Sequence, residues 1–402
     1  DYSQATAAGV AITDGVIGAA TTELTSVLTP VDVSWVGNLI HTNSGTNCTV
    51  GWYEVVSVSG TTATVDRSLG TAASICTQKV GGAMSLNSTL DDDLFENGLG
   101  TNGTGAMIFW VKNGSYTLGE SVAFAAAGGT QAPIVLAGFN ALRSDLGTIT
   151  QTNRPVITFG AQTGALGTNW DVYNLSITGT GTPVLTLGGN SKVVNSKIAN
   201  TSVTAARIAV TLANQSMLLA SEVLSYRGNA LSIGSNSAVV AFSYIHDSDK
   251  GFTTSSTGSE IMLLGNIFAG NITNAVATSS TQIGRLLLLG NTIYGAENKL
   301  GTCVSLATGT TDVALINNII TGCVTGLSHA NTQDVGFDDY NSYYNNTTDV
   351  TNWVKGSHNS VLNPTFTSVA QLTGSTATTS GSVLTQSGGD FSTVVDGQDY
   401  LY

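Results

Sequence analysis

A chain of 402 residues with 42% hydrophobic and only 10% charged side chains carries apolar material for a core far larger than one small domain needs, which excludes a disordered polypeptide. Glycine fills 47 positions and Lys and Arg together only 13, a strand-and-turn composition that excludes long helices, whose exposed faces need Glu, Lys and Arg. A formal net charge of -13 without any basic cluster makes nucleic acid a poor partner, and no apolar run approaches the roughly 20 residues of a membrane-spanning helix.

The chain begins at Asp1 with neither a methionine nor a signal-like apolar stretch, as expected of a processed or trimmed polypeptide. Residues 1–34, rich in Ala, Thr and Gly, show no clear period and read as an extended N-terminal arm. Residues 35–84 read as a small β domain, with alternation over 53–58, a turn at Ser59-Gly60 and a second strand over 63–66. Residues 85–104 read as a capping helix and linker, because Leu86, Leu90 and Leu94 recur at fourth-residue spacing over 85–98, and such a helix would cover the open end of whatever follows. A strand over 107–112 and a turn over 113–116 then open a long repetitive region, 105–368. The remaining segment, 369–402, is Ser, Thr and Gly rich and reads as an oligomerisation segment or a tail.

One unit recurs from about residue 192: an aliphatic run, a Ser or Asn, one intervening residue, and another apolar residue. The anchors are Ser196, Ser221, Ser243, Asn266, Asn291, Asn318 and Asn341, and two positions after them stand Ile198, Val223, Ile245, Phe268, Ile293, Ile320 and Tyr343. Such a period signals a solenoid, and short alternating strands without an amphipathic helix exclude helical and leucine-rich repeats. A strand precedes each anchor, as over 217–219, 261–264 and 286–289, and a second strand follows in the same coil, as over 208–212, 230–233 and 304–306. Asn, Gly and Ser at the corners tolerate left-handed backbone angles. At about 4.8 Å per coil, eight coils make a rod roughly 40 Å long whose inward residues rest on their counterparts in neighbouring coils. An Asn or Ser repeated at one corner can hydrogen-bond the next coil and so satisfy polar groups that burial would strand.

The Gly265-Asn266-Ile267-Phe268 and Gly290-Asn291-Thr292-Ile293 units resemble those of the pectate-lyase-like superfamily of right-handed parallel β-helices, over about residues 105 to 365. The resemblance implies an all-β fold: a right-handed parallel β-helix solenoid behind an N-terminal small β domain and a capping helix. It implies no single chemistry, because that superfamily includes lyases, hydrolases, adhesins and phage tailspikes.

A polysaccharide lyase needs a carboxylate cluster to hold calcium and a basic residue to take a proton, and a hydrolase needs convergent carboxylates. Between residues 171 and 333 the only acids are Asp171, Glu222, Asp247, Asp249, Glu260, Glu297 and Asp312, and Asp338-Asp339 is the nearest acidic pair beyond them. The Gly-His-Gly element of the polygalacturonase-like family is absent. The candidate site is therefore His246, Asp247, Asp249 and Lys250, with Tyr226 and Arg227 from the preceding coil. Its plain reading is an exposed Arg227–Asp249 ion pair between adjacent coils, worth under about 1 kcal/mol. No cofactor or metal is expected, since the cysteine spacings match no zinc or redox pattern. Two local disulfides, Cys48 with Cys76 and Cys303 with Cys323, and four buried thiols fit the spacing equally.

The expectation is a non-enzymatic structural protein of a virion or extracellular surface, of the phage capsid-decoration or tailspike-like kind. The alternatives are a secreted polysaccharide lyase or hydrolase, and a glycan-binding adhesin or extracellular filament subunit. The expected partners are further copies of the chain, as a homotrimer or another homo-oligomer, then other virion or surface proteins, and polysaccharide. Few surface charges suit permanent packing against symmetry mates better than isolated life in water.

Overall fold

The computed structural model describes residues 10–36, 38–81, 107–118, 121–124, 133–140, 153–204, 206–234, 237–254, 260–278, 284–295, 301–310, 312–331, 336–364, 377–380 and 383–386. Among the described residues there is no α-helix, and the helix expected over 85–98 lies outside them. Of the 369–402 segment, strands Ala377–Ser380 and Val383–Gln386 form an antiparallel pair.

The N-terminal unit is a closed antiparallel barrel of six strands: β1 (Val10–Ile17), β2 (Glu23–Thr25), β3 (Leu39–Ser44), β4 (Gly51–Ser59), β5 (Thr62–Val65) and β6 (Ile75–Gly81), in the order β1-β2-β5-β4-β3-β6. Residues 10–34 are thus barrel and not an extended arm. Closure demands it, because β1 pairs with β6 from Val10↔Val80 to Val16↔Ile75 and so removes the edge that β6 would otherwise expose. Ile12, Ile17, Leu24, Ile40, Val55 and Ala63 fill the interior. Gln78 Nε2 donates to Thr42 Oγ1 at 3.0 Å within it. Cys48 and Cys76 form a disulfide across the barrel wall, with Cα atoms 5.9 Å apart.

Behind the barrel runs a parallel β-solenoid made of three ten-stranded sheets. The first sheet runs from Met107–Lys112 to Gly336–Asp339, the second from Ser115–Thr117 to Ser342–Tyr344, and the third from Val122–Phe124 to Thr348–Thr351. Each coil contributes one strand to each sheet, so a residue meets its counterpart one coil away. In the second sheet Ile198, Val223, Ile245, Phe268, Ile293, Ile320 and Tyr343 form one internal stack, in register coil by coil. All seven are 1% exposed or less. The first sheet contributes a parallel inward stack of Val172, Val193, Leu218, Val240, Leu263, Leu288 and Leu315. Cys303 follows Thr302 and Cys323 lies two residues before Thr325, the partner of Thr302 in the next coil, and the two cysteines form the second disulfide.

The corner between the first and second sheets explains the repeat. The residue before each anchor, and Asn174 before Leu175 one coil earlier, has a left-handed backbone with φ between 46 and 65°, and Asn or Gly occupies five of these eight positions. The anchors themselves are buried and linked. The Ser196 amide donates to Ser221 Oγ at 3.1 Å, Ser221 to Ser243 Oγ at 3.2 Å, and Ser243 to Asn266 Oδ1 at 3.0 Å. From there each Asn does more than a Ser can. Asn291 Oδ1 accepts from both the amide and the Nδ2 of Asn266, at 2.9 and 3.0 Å, while Asn291 Nδ2 donates to Leu263 O at 2.7 Å and to Asn318 Oδ1 at 3.0 Å. The ladder continues through Asn341 to Asn359.

Candidate functional site

Strand Tyr244–His246 of the second sheet turns Ile245 inward and the Tyr244 and His246 rings outward, where they stack with centroids 4.0 Å apart. His246 Nδ1 lies 2.9 Å from Asp247 Oδ2 and Nε2 lies 3.1 Å from Glu222 Oε1 in the preceding coil. Lys197, one coil earlier again, holds the same Glu222 oxygen at 2.8 Å. Burial works against charge on His246, but the carboxylates of Asp247 and Glu222 outweigh it and raise the imidazole above its ordinary value. Burial likewise works against charge on Glu222, yet His246 and Lys197 prevail and lower it. The result is an imidazole held between two carboxylates that favour its charged form. Both ring nitrogens are engaged by carboxylates, which leaves neither free to meet a substrate.

The rest of the sequence-predicted site is elsewhere. Asp249 places its amide against Gly228 O at 2.8 Å, one residue beyond Arg227, and its carboxylate accepts the Thr273 hydroxyl of the next coil. The expected Arg227–Asp249 pair is accordingly not among the ion pairs of the described residues. Lys250 opens strand Lys250–Thr254 of the third sheet, in register with Asn229, while Tyr226 and Arg227 are exposed at the corner. Coil alignment alone could have found Lys197 and Glu222: both directly follow an anchor, and their strands pair one coil apart.

A groove of about 640 Å³ lies on the outer face of the first sheet, with Asp171 and Lys192 at one end and Glu260 and Arg285 at the other. The Lys192 ammonium is 3.6 Å from Asp171 Oδ2, which also accepts the Tyr173 hydroxyl at 3.3 Å. Arg285 Nε donates to Asp312 at 3.0 Å. Asp171, Lys192, Met217, Val239 and Met262 occupy one register row, and Glu260 lies two residues before Met262. Four coil spacings separate Asp171 from Glu260, about 19 Å. Glycoside hydrolysis uses carboxyl groups about 5 to 9.5 Å apart, so these two cannot form such a pair.

The Asp338-Asp339 pair divides across the strand. Asp338 points inward in the column of Leu315 and takes four hydrogen bonds, from Asn341 (2.6 Å), Asn359 (2.8 Å), Tyr343 (3.0 Å) and Trp353 (3.1 Å). Burial nevertheless raises its carboxyl above the ordinary value. Asp339 faces His358 at 2.7 Å, which lowers it. One carboxyl rises and the other falls, as in an acid-base pair. The raised one is sealed under Tyr343 and Trp353, so the arrangement closes the last coil and offers no approach to a substrate. Among the described residues no group of three or more His, Cys, Asp or Glu could hold a metal ion, and no helix is long and apolar enough to cross a membrane.

No protein-family model matches the chain, and no curated protein matches it. Among solved structures it is similar to the catalytic domain of a GH87 alpha-1,3-glucanase in complex with tetrasaccharides, with 9% sequence identity, 84% of this chain and 90% of that chain covered, and a TM-score of 0.34. A similarity at that level carries no conclusion about the activity of this chain.

Proposed function

We propose that the chain is a non-enzymatic structural protein of a virion or cell surface, a stiff rod that assembles with further copies of itself. The observation that carries this reading is the outward face of the first sheet. In five consecutive coils two of its outward columns are apolar, Met217, Val239, Met262, Leu287 and Ala314 in one and Leu219, Ala241, Leu264, Leu289 and Ile316 in the other, while Ser237, Glu260 and Arg285 hold the third outward position of their strands. A sheet with one face in water normally alternates apolar inside with polar outside. Here those two outward columns are apolar as well as the inward ones, and they extend about 19 Å along the rod. An apolar patch of that extent, with Glu260, Arg285 and Asp312 along its border, has the core-and-rim anatomy of a protein interface.

Support for the absence of catalysis comes from the commitments of the carboxylates. Asp171, Glu222, Asp338 and Asp339 are each tied to partners, and Asp171 and Glu260 stand too far apart to act on one bond. Sedimentation velocity of the purified chain, together with reducing-end and unsaturated-uronate assays on a glycan panel, tests both halves. Expected are an oligomer at micromolar concentration and no turnover. Turnover abolished by Asp171→Ala or Glu260→Ala would overturn the non-enzymatic reading, and a monomer would overturn the assembly.

A further inference from the structure

We infer that the outer face of the first sheet is a two-fold self-docking surface on which a second copy lies antiparallel. This rests on the reading of the chain as self-assembling and specifies its symmetry. The ten strands of the sheet have their midpoint between Ser216–Leu219 and Ser237–Ala241, the strands that carry Met217 and Val239 outward. A two-fold axis over that midpoint, lying in the interface plane and parallel to the strands, sets every strand of one copy face to face with a strand of the other.

The chemistry along the sheet has the same symmetry with charges inverted. Met217 meets the partner's Val239 at the centre. The next strand outward carries Lys192 on one side and Glu260 on the other, and the strand after that carries Asp171 on one side and Arg285 on the other. Rotation therefore sets Lys192 at the height of the partner's Glu260 and Asp171 at the height of the partner's Arg285, twice over. At the two ends of the sheet stand Ile108 and Phe337, each 54% exposed, and they also meet. A parallel arrangement related by translation along the rod has no such reason to place opposite charges together. Glu260 and Arg285 sit one residue pair to the side of the row that holds Lys192 and Asp171, a lateral offset of about 7 Å that long basic side chains span.

The area agrees. Nine strand spacings by about 13 Å of strand give roughly 550 Å² of projected face per copy, or about 1,100 Å² for the pair, just above the roughly 1,000 Å² that marks a specific interface. An isologous contact of this kind closes at two copies, so the expected species is a dimer and not the homotrimer anticipated from composition.

The test is a charge swap in the full chain, read by sedimentation equilibrium with circular dichroism as the check on folding. Lys192→Glu and Glu260→Lys, singly, set like charges against each other across the axis and are expected to weaken the dimer at least ten-fold. The double variant restores opposite charges between copies and is expected to recover most of the affinity. Within one chain Lys192→Glu still faces Asp171, so intrachain repair cannot mimic that recovery. Failure of the double variant to recover overturns the pairing. A trimer, or an oligomer indifferent to either single change, overturns this interface while leaving self-assembly standing. A wild-type monomer overturns both.

Discussion

Replacing Asn291 by Ala removes the centre of the corner ladder and measures what that ladder contributes. The amide of Asn291 engages four groups: it accepts from Asn266 N and Nδ2 and donates to Leu263 O and Asn318 Oδ1. Two of these keep another bond, because Asn266 Nδ2 still reaches Val240 O and Asn318 Oδ1 still accepts the backbone amide of residue 291. The Asn266 N–H loses its acceptor and Leu263 O loses this donor, in a corner where Asn266 and Leu263 are both fully buried. Leu263 O keeps its ladder partner in the next coil. With about 1–3 kcal/mol for the stranded Asn266 N–H and about 0.5–1.5 kcal/mol for the bond lost at Leu263 O, the expected cost is about 1.5–4.5 kcal/mol. Ser221→Ala is the comparison. There only the Ser196 amide is stranded, since the hydroxyl bond to Leu219 O lies within its own turn, and the expected cost is about 1–2 kcal/mol. Urea titration with tryptophan fluorescence reports both variants, and equal slopes license comparison of the midpoints. A cost for Asn291→Ala below about 1 kcal/mol, or no greater than that of Ser221→Ala, refutes the argument that the side-chain amides carry the corner.

Three further outcomes are expected. Because His246 is raised above its ordinary 6.5 in the folded chain, its contribution is full below that pH and is lost as pH rises through the folded value; the lowered Glu222 contributes above its ordinary 4.5 and loses that contribution as pH falls. Urea midpoints against pH should thus decline on the alkaline side, and His246→Gln should flatten that decline. Removing the barrel disulfide, which links residues 28 apart, with Cys48→Ala and Cys76→Ala should cost about 2–4 kcal/mol in barrel unfolding, while peptide mapping of the unreduced native chain should find all four thiols paired. Phe242 holds a left-handed backbone at φ 53° with its ring 72% exposed, so Phe242→Asn should raise stability by about 0.5–1 kcal/mol; a loss would show that the ring contact over Gly265 outweighs the backbone cost.

The solenoid was legible because its corner makes the same demand in every coil. A left-handed residue followed by a buried polar anchor and then an inward apolar residue leaves a mark such as Gly290-Asn291-Thr292-Ile293 that survives changes of coil length. The anchors aligned the coils, and the inward stack from Ile198 to Tyr343 followed from that alignment. The barrel was only half legible. Its first two strands lie within 10–34, and what recruits them is the open edge of β6, nearly sixty residues later in the chain, which no local pattern in that segment announces.

The candidate site depended still more on the third dimension. His246 and Asp247 are neighbours in sequence, but their role is set by Glu222 and Lys197, which coil lengths of 22 and 25 residues deliver to the same patch of the second sheet. Asp249 missed Arg227 because the backbone register placed it against Gly228, a shift of one residue that composition and spacing do not resolve. The Asp338-Asp339 pair separated for a simpler reason: successive residues of a strand point to opposite faces, so one carboxyl entered the core and the other the solvent side. Periodicity along the chain therefore determined that there is a rod and which residues fill it. Which charged groups meet was decided only when the lengths of the intervening turns fixed the register between coils, because the polar contacts here span one coil or more.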